Sequence, residues 1–258
     1  MLRLSLVAFL YCATAAAQPA PFTVYSEPTE LDGHTVEVDI YRLVDKPTDG
    51  IAIVAHGFAR SRARHRDLGR ALAAAGITAV IPDLPHVVDH WGNGDAVVEL
   101  AHRLEAGEFG LPPVQRSRLV LIGTSAGGLS TVLAAARLPG LAGWIGLDPV
   151  DRTGTGMRAA AQLGAPAVVL LAERSGCNLY GSGRSIAEAV PVLLRSTLLP
   201  GSSHCDFEGP TNRFCRAVCG DSPPGMQALA REEAVNAAVE MLRLPRDERA
   251  TGPAGSPH

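Results

Sequence analysis

The sequence predicts an α/β fold, with a mostly parallel central sheet, helices on both of its faces and no large lid. Two observations carry this prediction. Short apolar runs of strand length alternate along the chain with longer segments whose apolar residues recur at helical spacing. Several strand segments are also apolar on both faces, as the central strands of a parallel sheet are. The chain has 258 residues, 47% of them hydrophobic, which suits one such domain.

The predicted strands are of two kinds. In residues 35–43, Val36 and Val38 alternate with polar residues, which indicates a half-buried strand near a sheet edge. Residues 51–55 are apolar without alternation and indicate a central strand that ends before His56. The remaining strands are predicted at residues 77–81, 118–122, 144–147, 167–172 and 194–199.

The predicted helices lie between these strands. Over residues 62–75, Leu68 and Leu72 recur at helical spacing, and Gly76 supplies the stop signal. A parallel sheet built in this way places its functional side chains at the carboxyl ends of its strands. The other helices are predicted at residues 96–104, 126–138 and 226–242, and Glu188 lies within a further one.

The amino-terminal residues indicate export. Residues 1–17 combine a short basic start, an apolar run and a terminal A-x-A site, the pattern of a cleaved signal peptide. We therefore predict a secreted or periplasmic protein, with one domain over residues 18–245 and a disordered polar tail over residues 246–258. Cys12 raises lipidation as an alternative, although Tyr11 is larger than the residue a lipobox normally has there. No other apolar run is long enough for a membrane span, so no permanent membrane anchor is expected.

Export makes the other four cysteines informative. Cys177, Cys205, Cys215 and Cys219 are an even number in an oxidising compartment, which predicts two disulfides in one of three pairings. The sequence does not choose between these pairings. Cys205 adjoins His204, and we expect its disulfide to hold the loop of that histidine. The chain has no C-x-x-C pair, and no metal site is expected.

Charge and composition narrow the class of partner. The 23 basic and 26 acidic residues give a net charge of −3 without a basic block, and aromatic residues make up 5% of the chain. Nucleic-acid surfaces need clustered cations or stacking platforms, so no nucleic-acid partner is expected. No cofactor is expected either, and the sequence leaves the oligomeric state open.

The functional prediction depends on residues 119–129. They indicate a buried strand, a sharp turn at Ser125 and a helix directly after it, which is the G-x-S-x-G arrangement of a nucleophile elbow. Gly123, Gly127 and Gly128 supply the room that such a strained turn needs between a closely packed strand and helix. The alternative interpretation is an ordinary turn with a solvated serine.

A nucleophilic serine needs a base and an acid, and the predicted strand ends supply candidates. Ser125, Asp148, Glu173 and His204 all follow such ends, in the order serine, acid, histidine. This is the chain order of the α/β-hydrolase triad and differs from the two other familiar serine-protease orders. Only His204 and His258 follow the serine, and His258 ends the polar tail, so His204 is the predicted base.

The acid has several candidates. Asp148, Asp151, Glu173 and Glu188 lie between the serine and the histidine. Glu188 is set aside because it falls within a predicted helix. Glu173 follows the strand that usually carries the acid in this fold, whereas Asp148 follows the strand before it. The residues alone leave this choice open.

Four segments carry a family resemblance: the elbow, residues 56–58, residues 147–151 and residues 201–207. Together they resemble the chlorophyllase and plasma-type platelet-activating-factor acetylhydrolase branch of the α/β-hydrolase superfamily, over about residues 36–242. In the acetylhydrolases the acid follows the strand after the nucleophile helix. The resemblance therefore implies Asp148 as the acid, with Glu173 and Asp151 as alternatives.

A more distant resemblance is to secreted cutinases and polyester hydrolases. Their acid lies after the next strand, at a position that matches Ser175 here, with Glu173 two residues earlier. The chain also departs from chlorophyllase, whose elbow carries a basic residue after the serine. Ala126 stands at that position, so chlorophyll is not the expected substrate.

These residues predict acyl transfer through an acyl-enzyme intermediate. His204 takes the Ser125 proton, and Asp148 orients the imidazole and stabilises its positive charge. The oxyanion of the tetrahedral intermediate needs two donors. The amide of Ala126, at the start of the helix, is one, and the amide of Phe58, after the predicted strand at residues 51–55, is the other.

The predicted function is that of a serine esterase acting on small-molecule or polymeric esters. No long insertion follows the predicted strand at residues 144–147, where lids are commonly placed, so an open site is expected. An acyltransferase or a peptidase could use the same triad. A non-catalytic binding protein with this fold is the alternative from another functional class.

Overall fold

The structure, a computed structural model, describes residues 21–44 and 46–245. The predicted signal peptide at residues 1–17 and the predicted disordered tail at residues 246–258 lie outside the described residues. The described residues form one eight-stranded sheet. Its strands are β1 (Phe22–Leu31), β2 (His34–Leu43), β3 (Gly50–Ala55), β4 (Ile77–Pro82), β5 (Leu119–Thr124), β6 (Gly143–Leu147), β7 (Ala167–Leu171) and β8 (Leu193–Leu198).

Seven α-helices and four short 3-10 helices connect or follow these strands in the described residues. The α-helices are α1 (Arg66–Ala74), α2 (His90–Ala106), α3 (Ala126–Ala135), α4 (Thr155–Ala160), α5 (Gly183–Ala189), α6 (Arg213–Cys219) and α7 (Met226–Arg243). The 3-10 helices are Arg62–His65, Arg116–Arg118, Gly176–Asn178 and His204–Phe207. None of the helices in the part of the chain that the structure describes is long and apolar enough to cross a membrane.

The strand order is β1-β2-β4-β3-β5-β6-β7-β8. At one edge β1 pairs antiparallel with β2 and β2 pairs antiparallel with β4, and the strands from β3 to β8 are all parallel to one another. The predicted mostly parallel sheet is therefore confirmed. Strand β1 was not predicted, because it contains Pro28 and is largely exposed, so its sequence lacks the apolar pattern that marks the inner strands.

The central strands bury both of their faces. Along β3, Ile51 and Ile53 pack into one apolar core, while Ala52 and Val54 pack into the other. Helices α2 to α5 cover the first core and helices α1 and α7 cover the second, which confirms helices on both faces. The connection from β6 to β7 carries only the six-residue helix α4, so the described chain has no large lid at this position.

Candidate active site

Ser125 lies at the tip of a sharp turn between β5 and α3. Its backbone angles, φ +56° and ψ −122°, fall in a region that non-glycine residues rarely adopt. Backbone hydrogen bonds to residues at and after the end of β6 hold this conformation. The Ser125 amide donates to the Leu147 carbonyl at 3.0 Å, and the Val150 amide donates to the Ser125 carbonyl at 3.2 Å. The end of β6 and the residues after it therefore fix the position of the serine.

The glycines around the turn are needed for close packing, as predicted. A Cβ atom at Gly123 would lie 2.3 Å from the Gly127 carbonyl oxygen, and one at Gly127 would lie 2.3 Å from the His56 carbonyl oxygen. A Cβ atom at Gly128 would lie 2.6 Å from the Pro149 Cβ. These distances are shorter than van der Waals contact, so a side chain at any of the three positions would displace the turn.

The three side chains of the predicted triad form one hydrogen-bonded chain. The His204 Nε2 lies 2.9 Å from the Ser125 Oγ, and the His204 Nδ1 lies 2.6 Å from the Asp148 Oδ2. A carboxylate only accepts hydrogen bonds, so the Nδ1–H donates to Asp148 and the Nε2 lone pair accepts from the serine hydroxyl. Asp148 is 1% exposed, which keeps water from competing for its carboxylate.

Ala126 and Phe58, the residues predicted to supply the oxyanion donors, lie beside one another's loops. Ala126 is the first residue of α3, and an amide at that position has no partner within its helix. Phe58 follows β3, and its amide makes no hydrogen bond to any of the described residues. Both residues line the same small depression, together with Gly57, His90 and Asn93.

Comparisons with known proteins identify the fold. No protein-family model matches the chain, and no curated protein matches its sequence. Among solved structures, dienelactone hydrolase from Anabaena variabilis is similar, with a TM-score of 0.68 and 17% sequence identity over 86% of this chain and 99% of that chain. The chain has the α/β-hydrolase fold. The resemblance is thus confirmed at the level of the fold, and the assignment to the chlorophyllase and acetylhydrolase branch stays a prediction.

Within this α/β-hydrolase fold, the other carboxylates considered for the acid have different partners. Glu173 follows β7, is exposed, and accepts a hydrogen bond from the Gly201 amide at 3.3 Å. Asp151 accepts hydrogen bonds from the Thr155 and Met157 amides, which belong to the first turn of α4. Among the carboxylates of the described chain, only that of Asp148 is hydrogen-bonded to the His204 ring.

Asn178 is a buried site residue that the sequence analysis missed. Its Nδ2 donates to the Asp148 carboxylate at 3.1 Å, while the Ala172 amide donates to the other carboxylate oxygen at 3.0 Å. The Asn178 Oδ1 accepts from the Ser175 and Gly181 amides, at 2.9 and 3.0 Å. The asparagine is therefore fixed by its own loop and in turn orients the carboxylate that faces His204.

Two disulfides connect the loops around this site, as predicted. The pairs are Cys177–Cys219 and Cys205–Cys215. Each pair has one cysteine on α6, which settles the pairing that the sequence left open. The Cys205 disulfide stands directly beside His204, where it was expected. In the described residues the one cluster with metal-ligand spacing consists of three of these cysteines, whose sulfurs are already bonded.

His56 lies beside the site and has a structural environment. Its Nδ1 lies 2.9 Å from the Gly57 carbonyl oxygen, to which it donates, and its Nε2 accepts from the Leu84 amide at 2.9 Å. Burial lowers the pKa of His56 and keeps the ring neutral. The ring therefore connects the turn after β3 to the turn after β4.

Proposed function

We propose that this protein is a secreted serine hydrolase that cleaves carboxylic esters, with Ser125 as nucleophile, His204 as general base and Asp148 as the acid. The observation that carries the proposal is the unbroken hydrogen-bonded chain from the Ser125 hydroxyl through the imidazole to a buried carboxylate. Such a chain activates a hydroxyl that is otherwise a weak nucleophile at neutral pH.

The reaction proceeds in two steps. The Ser125 Oγ attacks the ester carbonyl while the His204 Nε2 takes the hydroxyl proton, and the resulting oxyanion accepts hydrogen bonds from the Ala126 and Phe58 amides. The imidazolium then gives its proton to the leaving alkoxide, which leaves an acyl-serine. Water, deprotonated by the same nitrogen, then attacks the acyl carbon. The bond to the Ser125 Oγ breaks, the imidazolium returns its proton to that oxygen, and the carboxylic acid leaves. Asp148 stabilises the imidazolium in both steps.

The surroundings of the serine favour small or extended esters, including polymeric ones. The described chain carries no large lid, and the Phe58 side chain beside the proposed oxyanion site is 56% exposed. The resemblance to the chlorophyllase and acetylhydrolase branch also favours ester substrates. The named structural neighbour is a hydrolase of a dienelactone, a cyclic ester, and lactones therefore belong in the substrate panel.

The test is hydrolysis of p-nitrophenyl acetate, butyrate and octanoate and of a simple lactone by the purified protein. Wild type should turn over at least one of these substrates, and p-nitrophenol release should begin with a burst wherever deacylation is slower than acylation. The matched control is Ser125→Ala, and wild-type rates no higher than those of this variant would refute the proposal. Added alcohols and peptides would reveal transfer to other acceptors or peptidase activity instead.

Secretion is the second part of the proposal. Two disulfides in the described chain are compatible with an extracellular or periplasmic location. Amino-terminal sequencing of the protein recovered from medium or periplasm should give a mature start near Gln18. A protein that keeps residues 1–17 in the cytoplasm would contradict this part without bearing on the chemistry.

A further inference from the structure

A buried ion pair lies beside the proposed active site and has no part in the reaction steps above. Glu208 directly follows the 3-10 helix His204–Phe207 and is 5% exposed. Its Oε2 lies 3.2 Å from the Nε of Arg60, a residue of the turn after β3. Burial raises the pKa of Glu208, and the Arg60 charge opposes that rise. The positive charge of Arg60 thus favours the ionised form of the buried Glu208 side chain.

The Glu208 carboxylate lies on the same side of Gly57 as the nucleophile. A Cβ atom at Gly57 would lie 2.9 Å from the Glu208 Oε1 and 3.2 Å from the Ser125 Cβ. The carboxylate also faces the Gly57 amide, which opposes the rise in the pKa of Glu208. Only a residue without a side chain fits between the two groups, so Glu208 reaches the backbone of the proposed oxyanion turn directly.

The hydrogen bonds of Gly57 determine where the Phe58 amide points. The Gly57 carbonyl accepts from the Arg60 amide at 3.2 Å and from the His56 Nδ1 at 2.9 Å. Because a peptide group is planar and trans, the Phe58 N–H points opposite to that carbonyl. The Glu208 carboxylate stands directly against this glycine, and the Phe58 N–H is left for an oxyanion.

The pair also connects two loops that come from distant parts of the chain. Arg60 lies two residues after Phe58, and Glu208 lies four residues after His204. An acyl transfer needs the donor and the base at fixed positions relative to one serine, and a displacement of about 1 Å can cost about a hundredfold in rate. The ion pair joins these loops at one point.

We propose that Glu208 and Arg60 form a positioning pair that holds the Gly57–Phe58 peptide as an oxyanion donor in register with His204. This inference rests on the proposed ester hydrolysis. In the described chain no hydrogen bond or ion pair joins either side chain to Ser125 or His204. The pair acts through the turn, so its loss should lower kcat, which depends on transition-state contacts, more than it raises KM.

The experiment compares Glu208→Ala, Glu208→Gln and Arg60→Ala with wild type on p-nitrophenyl acetate. Removing an oxyanion donor outright lowers kcat by about 100- to 1000-fold, so a misplaced donor should cost about 10- to 100-fold. We expect that loss in kcat for Glu208→Ala and Arg60→Ala, with KM changed less than about threefold. Glutamine keeps the shape of the side chain and an oxygen that faces the Gly57 amide, and it should restore kcat to within about fivefold of wild type.

Glu105→Gln is the matched control, since Glu105 on α2 forms a similar half-buried ion pair with Arg116 outside the active site. It should keep wild-type kcat. Thermal unfolding identifies any variant that does not fold. If Glu208→Ala does not fold, the kcat values of Arg60→Ala and Glu208→Gln test the inference. A wild-type kcat in a folded Glu208→Ala or Arg60→Ala, or no rescue by glutamine, would overturn the inference. A wild type no faster than Ser125→Ala would instead overturn the proposed function.

Discussion

Replacing Asp148 by asparagine changes the hydrogen-bonding chemistry of the proposed acid with almost no change in its shape. The Asp148 Oδ1 accepts from the Ala172 amide at 3.0 Å, and the Oδ2 lies 2.6 Å from the His204 Nδ1. The asparagine oxygen must stay towards the Ala172 amide, because an NH₂ group there would face another donor. The NH₂ group then faces the His204 Nδ1.

This orientation reverses the imidazole tautomer. A donor opposite the His204 Nδ1 requires that nitrogen to accept, so its hydrogen moves to Nε2, which can no longer take the Ser125 proton. In a triad this change lowers kcat by about 10⁴-fold, or about 5 kcal/mol of activation free energy. The new NH₂ group also faces the Asn178 Nδ2 across the 3.1 Å contact, which should lower the free energy of unfolding by about 1–3 kcal/mol.

The assay compares initial rates of p-nitrophenyl acetate hydrolysis by wild type, Asp148→Asn and Glu173→Gln. Glutamine at 173 keeps an oxygen for the Gly201 amide, so this variant should stay within about twofold of wild type. Thermal unfolding measured alongside separates lost chemistry from lost structure. An Asp148→Asn rate within about tenfold of wild type, or an equal loss in Glu173→Gln, would refute the tautomer argument and the choice of acid.

Three further predictions concern the support of the site. Asn178→Ala should lower kcat by about tenfold and stability by about 1–3 kcal/mol, and unchanged steady-state rates would contradict its role in orienting Asp148. Reduction of both disulfides should lower activity because the Cys205 bond adjoins the base, and full activity after reduction verified by mass spectrometry would contradict this. His65 is fully buried, no described group hydrogen-bonds its ring, and burial lowers its pKa from 6.5 to about 3. The unfolded chain therefore binds the extra proton below about pH 6.5, and stability falls as the pH drops from there towards about 3. Between pH 7 and pH 5, wild type should lose about 2 kcal/mol more than His65→Leu in urea unfolding, and equal losses would contradict the burial argument.

The parts of the site that the sequence predicted are those governed by local rules. A buried strand, a glycine-rich turn and a helix in succession predict a nucleophilic serine at the turn, because the glycines leave room for that strained backbone. Parallel strands end at one edge, so Ser125, Asp148 and His204 were expected close together although 79 positions separate the first and last in the chain. The identity of the acid needed a family resemblance, since a carboxylate follows both β6 and β7.

The parts that it did not predict depend on contacts between loops. Asn178 orients Asp148 across 30 residues, and Glu208 reaches Arg60 across a still longer separation. Neither follows a motif, and no periodicity ties a loop residue to a partner in another loop. Helix α6 was missed for a related reason: it has seven residues and exposes Phe214 and other apolar side chains, so it lacks an amphipathic pattern.

The two disulfides explain how such a short helix is kept in place and why it matters for the site. A seven-residue helix is unstable on its own in water. Cys219 bonds to Cys177, the neighbour of the asparagine that orients the acid, and Cys215 bonds to Cys205, the neighbour of the base. The His204–Asp148 hydrogen bond therefore has both of its ends anchored, through separate loops, to one helix. Order in α6, which contributes no reacting group, thus fixes the geometry of the proposed acid and base together.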